Sequence, residues 1–141
     1  MNNEQLKLEN QLCFPLYASA KEVVKRYKPY LDEIGLTYTQ YIAMMVLWEH
    51  ETINVKNLGE YLYLDSGTLT PLLKRLEAAG FIERNRDSND ERNVIIKLTP
   101  AGEALKVPAS LIPDKIKQCL PITEEEAITL YRLLYKLLGS N

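Results

Sequence analysis

The 141-residue sequence predicts a mainly α-helical chain with one small β-hairpin. Two Thr-x-x-Gln/Glu capping boxes and an Asp-Ser pair each precede an apolar run of helical period. Two β-branched segments, "FIERNR" and "RNVIIKLT", are joined by the polar cluster "DSNDE". Gly35 and Gly80 close two of the helical runs.

In order, a first helix is expected from about Gln11 to Leu31, with Leu12, Leu16, Ala20, Val23 and Tyr27 at helical spacing. Gly35 breaks the pattern. Thr37 and Gln40 then form a capping box that opens a helix through "YIAMMVLWEH". That helix is apolar nearly all round and belongs at the centre of the core. The single histidine, His50, falls in "EHETIN", which reads as a solvated loop. Asn54 caps a short helix with Val55, Leu58 and Leu62 on one face.

The next helix, "LDSGTLTPLLKRLEAAG", is capped by Asp65 or Ser66 and closed by Gly80. Leu69, Leu72, Leu73 and Leu76 form its core stripe. Thr70, Pro71 and Lys74 lie opposite, flanked by Thr68 and Arg75. Pro71 stands early enough in the helix to be tolerated. The two strands follow. Thr99 and Pro100 then make a cap and first-turn pair for a helix interrupted by Pro108 and Pro113, which resumes to about Leu120. Thr123 and Glu126 open the last helix, "EEEAITLYRLLYKLLGS".

Helix, short helix, turn, helix and hairpin is the order of a winged helix-turn-helix. A small α+β domain merely sharing this order is the bland alternative. The outward face of the fourth helix favours DNA. Ser66, Thr68 and Thr70 offer hydroxyls at its N-terminal end, and Lys74 and Arg75 follow. The hairpin adds Arg84, Arg86 and Arg92. The overall net charge is −2, and residues 71–97 hold six cations against five anions. DNA binding must therefore use a local arrangement of arginines, with acids such as Asp90 orienting them.

The segment "LDSGTLTPLLKRLEAAGFIERNRDSNDERNVIIKLTPAG" resembles the DNA-binding core of the MarR family of transcriptional regulators. The likeness includes Asp90-x-Arg92 and the "LT-x-x-G" after the second strand. It extends over nearly the whole chain. It implies a single domain over 1–141, with the winged helix-turn-helix at about 37–100 and dimerisation helices at 1–34 and 101–141. Within the family, "NQLCFPLYASAKE" and "LTYTQYIAMMVLWE" resemble the OhrR-type, peroxide-sensing branch. That resemblance implies a reactive cysteine at Cys13, hydrogen-bonded by Tyr27 and Tyr38.

The chemistry of Cys13 is consistent with this role. A thiolate attacks a hydroperoxide, whereas an ordinary cysteine titrates near pH 8.5. Either Asn10 caps the helix and puts Cys13 in its first turn, or the helix begins at Pro15 with Cys13 just before it. Both place the sulfur near unsatisfied N–H groups that favour an anion. The branch carries a small non-proline residue at the position of Pro15, so this chain departs from its pattern there. Leu12, Phe14, Leu16 and Tyr17 form an apolar rim suited to organic hydroperoxides. Without the resemblance, Cys13 reads as a buried apolar side chain. Some relatives resolve the sulfenic acid with a second cysteine of the partner subunit. That layout implies a disulfide to Cys119, with a mixed disulfide to a small thiol as the other route.

The last helix carries Ile128, Leu130, Tyr131, Leu133, Leu134, Tyr135, Leu137 and Leu138, more apolar surface than one stripe. A homodimer with interleaved terminal helices would cover it. Such a dimer would set two recognition helices about 34–36 Å apart on a pseudo-palindromic site in double-stranded DNA. Three other functions compete. One is a regulator released by a small aromatic ligand, with Cys13 structural. Another is a thiol peroxidase, although no catalytic base or cofactor motif is visible and none is expected. The third is a protein-interaction module. The polar N-terminus and the lack of a long apolar run point to the cytoplasm, with no membrane partner. Two cysteines are too few for a disulfide scaffold, and one histidine excludes most histidine metal sites.

Overall fold

A computed structural model describes residues 3–139. The outermost ends of the domain assigned to 1–141, and Ser140 of the last predicted helix, lie outside the described residues. Two short 3-10 turns, Glu4–Leu6 and Leu8–Asn10, lead into α1 (Cys13–Asp32). The Asn10 cap does not form. The Asn10 amide donates instead to the Glu4 carbonyl at 2.7 Å, and Leu12 stands at the N-cap with no side-chain bond. Cys13 is thus the first helical residue. Pro15 is the third, where its missing N–H costs no intrahelical bond.

The head of the molecule follows in chain order. Helix α2 (Tyr38–His50) opens on the expected capping box, with both the Thr37 and the Gln40 bonds made. His50 closes that helix rather than lying in a loop, and its ring stands 5.1 Å from that of Tyr61. A short strand, β1 (Thr52–Asn54), was not expected from the sequence. Asn54 then caps α3 (Val55–Leu62) by accepting from Asn57 N at 2.7 Å. Asp65, not Ser66, caps α4 (Ser66–Ala78), accepting from Thr68 N at 2.8 Å. Gly80 adopts φ +84°, the left-handed conformation that closes the helix.

The hairpin strands are β2 (Ile82–Arg86) and β3 (Val94–Leu98). They pair antiparallel with Ile82 opposite Leu98 and Arg86 opposite Val94. Strand β1 pairs with the other edge of β3, so the sheet order is β1-β3-β2. Leu31, Leu36, Met44, Leu47, Leu58, Ile96 and the four α4 leucines form one buried core beneath it.

The "LT-x-x-G" motif has a packing basis. Thr99 Oγ1 donates to the Gly80 carbonyl at 2.6 Å and accepts from Gly102 N at 3.1 Å. A Cβ on Gly102 would collide with the Phe81 carbonyl oxygen and lie 2.8 Å from Leu98 Cδ1. The Gly102 carbonyl in turn accepts from Trp48 Nε1 at 2.9 Å. Glycine is what allows α5 (Pro100–Ala104) to seat on the hairpin.

After α5 come α6 (Lys106–Ala109) and α7 (Ile112–Cys119). The breaks fall at Leu105 and Ser110–Leu111. Pro108 lies inside α6 and Pro113 in the first turn of α7, so each interruption precedes its proline. The second capping box forms at Thr123 and Glu126 and opens α8 (Glu124–Leu137). No described helix is long and apolar enough to cross a membrane.

Candidate functional site

Two groups of residues come together on the head. The first is the outer face of α4 with the hairpin. Ser66, Thr68, Thr70, Pro71, Lys74 and Arg75 are all exposed. The Asp65 carboxylate is held below the usual range by its bonds from Thr68, so the cap stays charged at neutral pH. The Thr70 hydroxyl donates to the Ser66 carbonyl at 2.8 Å, which leaves its oxygen able to accept a further bond.

At the wing tip, Asp90 Oδ1 accepts from Arg92 N at 3.0 Å and stands 3.5 Å from Arg92 Nε. The Arg92 side chain is 94% exposed. It lines one groove together with Ser66 and Thr70, so wing and helix present a continuous surface. Arg86 Nη1 donates to the Glu91 carbonyl at 2.7 Å. Arg84 is placed differently. It shares the Ile82 face of β2, is only 25% exposed, and pairs with Glu77 of α4 at 3.1 Å. It fastens the wing to α4. The alternation Ile82-x-Arg84 is the signal that indicates this inward face. Glu77, absent from the sequence-predicted set, is its partner.

The second group is aromatic and sulfur-bearing. Tyr27 and Tyr38 approach to 4.9 Å between ring centroids, and Tyr41 stands 5.8 Å from Tyr27. Burial, followed by neighbouring Tyr38, Tyr41 and Cys119, pushes the Tyr27 phenol up to about 12. Burial also raises Tyr38. Both phenols are therefore protonated donors across the neutral range. Cys119 lies beside this cluster, and its carbonyl accepts from Arg26 Nη1 at 2.7 Å.

Cys13 is not in this cluster of its own chain. It starts α1, whereas Tyr27 is fourteen residues further along the same helix, an axial rise of about 21 Å. The Cys13 thiol is exposed and free, as is that of Cys119. A buried, packing role for Cys13 therefore does not hold within one chain. Leu12, Phe14, Leu16 and Tyr17 around it are exposed as well. Likewise, α8 contains no buried residue, and Ile128, Leu130, Tyr131, Leu133, Tyr135 and Leu137 are open. Among the described residues, no three His, Cys, Asp or Glu side chains gather as metal ligands would.

A three-stranded wing packed behind an outward, hydroxyl-bearing and basic helix defines a winged-helix transcriptional regulator. The family profile described as "Transcriptional regulator SarA/Rot" matches residues 25–107. The chain is 53% identical over 135 residues to the organic hydroperoxide resistance transcriptional regulator of Bacillus subtilis (strain 168). That match covers 96% of this chain and 92% of the relative. Overoxidised AbfR bound to DNA superposes with a TM-score of 0.78 at 36% identity, covering 99% of this chain and 98% of that one. The disulfide form of AbfR gives 0.66 at the same identity, with 96% of each chain covered. A cysteine-to-serine mutant of MarR from E. coli, complexed with operator DNA, gives 0.82 at 28% identity, covering 90% of this chain and 93% of that one. The chain belongs to the MarR family of transcriptional regulators, in its OhrR-like branch.

Proposed function

We propose that the protein is a cytoplasmic, homodimeric, DNA-binding repressor whose hold on its operator is broken when organic hydroperoxide oxidises Cys13. The observation that carries this reading is the separation along α1. The tyrosine donors and Cys119 sit at the root of the helix, and Cys13 sits at its exposed tip. A two-fold pairing of α1 and α8 arms brings the tip of one chain to the root of the other and covers both apolar surfaces.

In the reduced dimer, the Tyr27 and Tyr38 hydroxyls donate to the Cys13 thiolate of the partner subunit. The thiolate attacks the distal peroxide oxygen, the O–O bond breaks, and the alkoxide leaves and takes a proton as the alcohol. Cys13 becomes a sulfenic acid. The Cys119 thiolate then attacks that sulfur. An S–S bond forms, and hydroxide leaves and is protonated to water. This requires the two Cα atoms to come within about 7 Å. A low-molecular-weight thiol taking the place of Cys119 gives a mixed disulfide with the same balance. The disulfide draws Cys13 and Cys119 together and the mixed disulfide adds bulk where the arms meet, and either alters the spacing of the two heads.

On DNA, the N-terminal end of α4 enters the major groove, with Ser66, Thr68, Thr70 and Pro71 at base edges and Lys74 and Arg75 at phosphates. Arg86 and Arg92 reach from the wing to phosphates or the minor groove, and Asp90 steers Arg92. Arg84 contributes by bracing the wing through Glu77.

Fluorescence anisotropy on a fragment from upstream of its own gene tests the proposal. Reduced protein should bind, lose at least about tenfold in affinity after organic hydroperoxide, and recover with reductant. Cys13→Ser should bind and ignore the oxidant. Wild-type affinity indifferent to hydroperoxide would refute the cysteine switch and favour release by a small ligand.

A further inference from the structure

Arg26 precedes Tyr27 on α1 and carries a contact that spans 93 positions of sequence. Its Nη1 donates to the carbonyl of Cys119 at 2.7 Å, while its Nε lies 3.3 Å from Glu22 Oε1, one turn earlier on the same helix. The guanidinium is thus fixed from both ends. Cys119 is the last residue of α7, where carbonyl groups lack intrahelical partners and a cation is favoured by the helix dipole. Past it, Leu120 is extended and Pro121 follows, so the helix ladder stops at the Leu120 N–H bond to the Ile116 carbonyl. Buried Ile112 and Ile116 anchor the start and middle of α7, and neither reaches its end. Leu120 packs on the core just past this end, and Arg26 ties the Cys119 main chain to α1 by a hydrogen bond.

We infer that Arg26 is the positioning residue of the disulfide-forming step. It holds the main chain of Cys119 against α1, so the thiol stays beside Tyr27, where the oxidised Cys13 of the partner subunit arrives. This rests on the reading that Cys119 resolves that sulfenic acid. Attack on sulfur requires a close, in-line approach, and a cysteine on a fraying helix end would spread its thiol over many positions. Arg26 bonds to Glu22 and to the Cys119 carbonyl and to neither tyrosine hydroxyl, so the donors to the partner subunit's Cys13 in the first step do not depend on it. The atoms of the step are those given above: one S–S bond forms, one S–O bond breaks, and water leaves.

The test uses the full-length dimer with one equivalent of cumene hydroperoxide. Sulfenic acid at Cys13 is trapped with dimedone and quantified by mass spectrometry. The intersubunit disulfide is followed on non-reducing denaturing gels. Arg26→Ala should form sulfenic acid within about twofold of the wild-type rate and form the disulfide about tenfold more slowly, the scale of one charge-assisted hydrogen bond. Arg26→Lys keeps a cation and a donor and should restore part of that rate. An Arg26→Ala protein that crosslinks at the wild-type rate overturns the assignment. So does one that slows both steps equally or loses the dimer by sedimentation, and so does a Lys variant with no restoration. Wild-type protein that accumulates sulfenic acid without crosslinking refutes the resolving role of Cys119 itself, a result visible before any Arg26 variant is made.

Discussion

The head and the arms of this molecule are built on opposite terms. From Leu31 to Ile96 the core-facing apolar side chains of α2, α3 and α4 are buried, and among the described residues no buried side-chain polar atom lacks a partner. In α1 before Tyr27, Phe14, Leu16, Tyr17 and Val24 stand open, as do most apolar side chains of α8, which has no buried residue. Patches of that extent on a soluble protein mark surfaces that another protein covers. The contrast teaches that the two regions have different stability references. The head is stabilised by its own chain, and the arms depend on protein concentration.

Charging the arm should break this contrast most sharply. Ile128→Glu combined with Tyr131→Glu is expected to weaken the dimer at least about 100-fold, the scale of two hot-spot losses. Sedimentation should show monomer whose head still unfolds in one cooperative step. A variant that stays dimeric places the interface elsewhere. The converse change strikes the head. Gly102→Ala forces a Cβ against the Phe81 backbone. It should cost about 3 kcal/mol in denaturant unfolding, with the arms unaltered. An unchanged midpoint would mean that α5 is free to shift off the hairpin.

A smaller effect marks the border between the regions, where Tyr27 packs the root of α1 on the head. Its phenol titrates at about 12 in the folded chain against an ordinary 10.0. The folded state favours the neutral form, so its contribution is complete below pH 10 and is lost as pH rises through 12. Thermal unfolding across pH 9 to 12 should show a declining limb that Tyr27→Phe flattens. A limb identical in both proteins would assign the loss to other groups.

Much of the fold was legible because its signals are local. Thr37, Asn54, Asp65, Thr99 and Thr123 each accept from a backbone N–H three residues on, and that spacing is visible in the chain itself. The leucine stripe of α4 and the hairpin are similarly short-range. What escaped was non-local. Strand β1 is three residues without a period, and only its pairing with β3 makes it a strand. Asn10 has the chemistry of a cap, yet the turn before it offered the Glu4 carbonyl instead. The cysteine-tyrosine site divides the same way. Sequence likeness indicated the residue types, whereas the meeting of Arg26, Tyr27 and Cys119 depends on α7 lying against α1.

Strand β1 has a mechanical consequence. It leaves α2 and enters α3, and between them it is stitched to the wing through Thr52–Lys97, Ile53–Ile96 and Asn54–Ile95. A wing hung only from the end of α4 would flex like a flap. Tied at both edges, wing and reading helix turn as one stiff jaw, and swinging the wing alone would require breaking ladder hydrogen bonds. A displacement at the arms is therefore delivered whole to the jaw. In the proposed dimer, two such jaws on one duplex would behave as calipers, which lose their grip when the gap between them is set wrong.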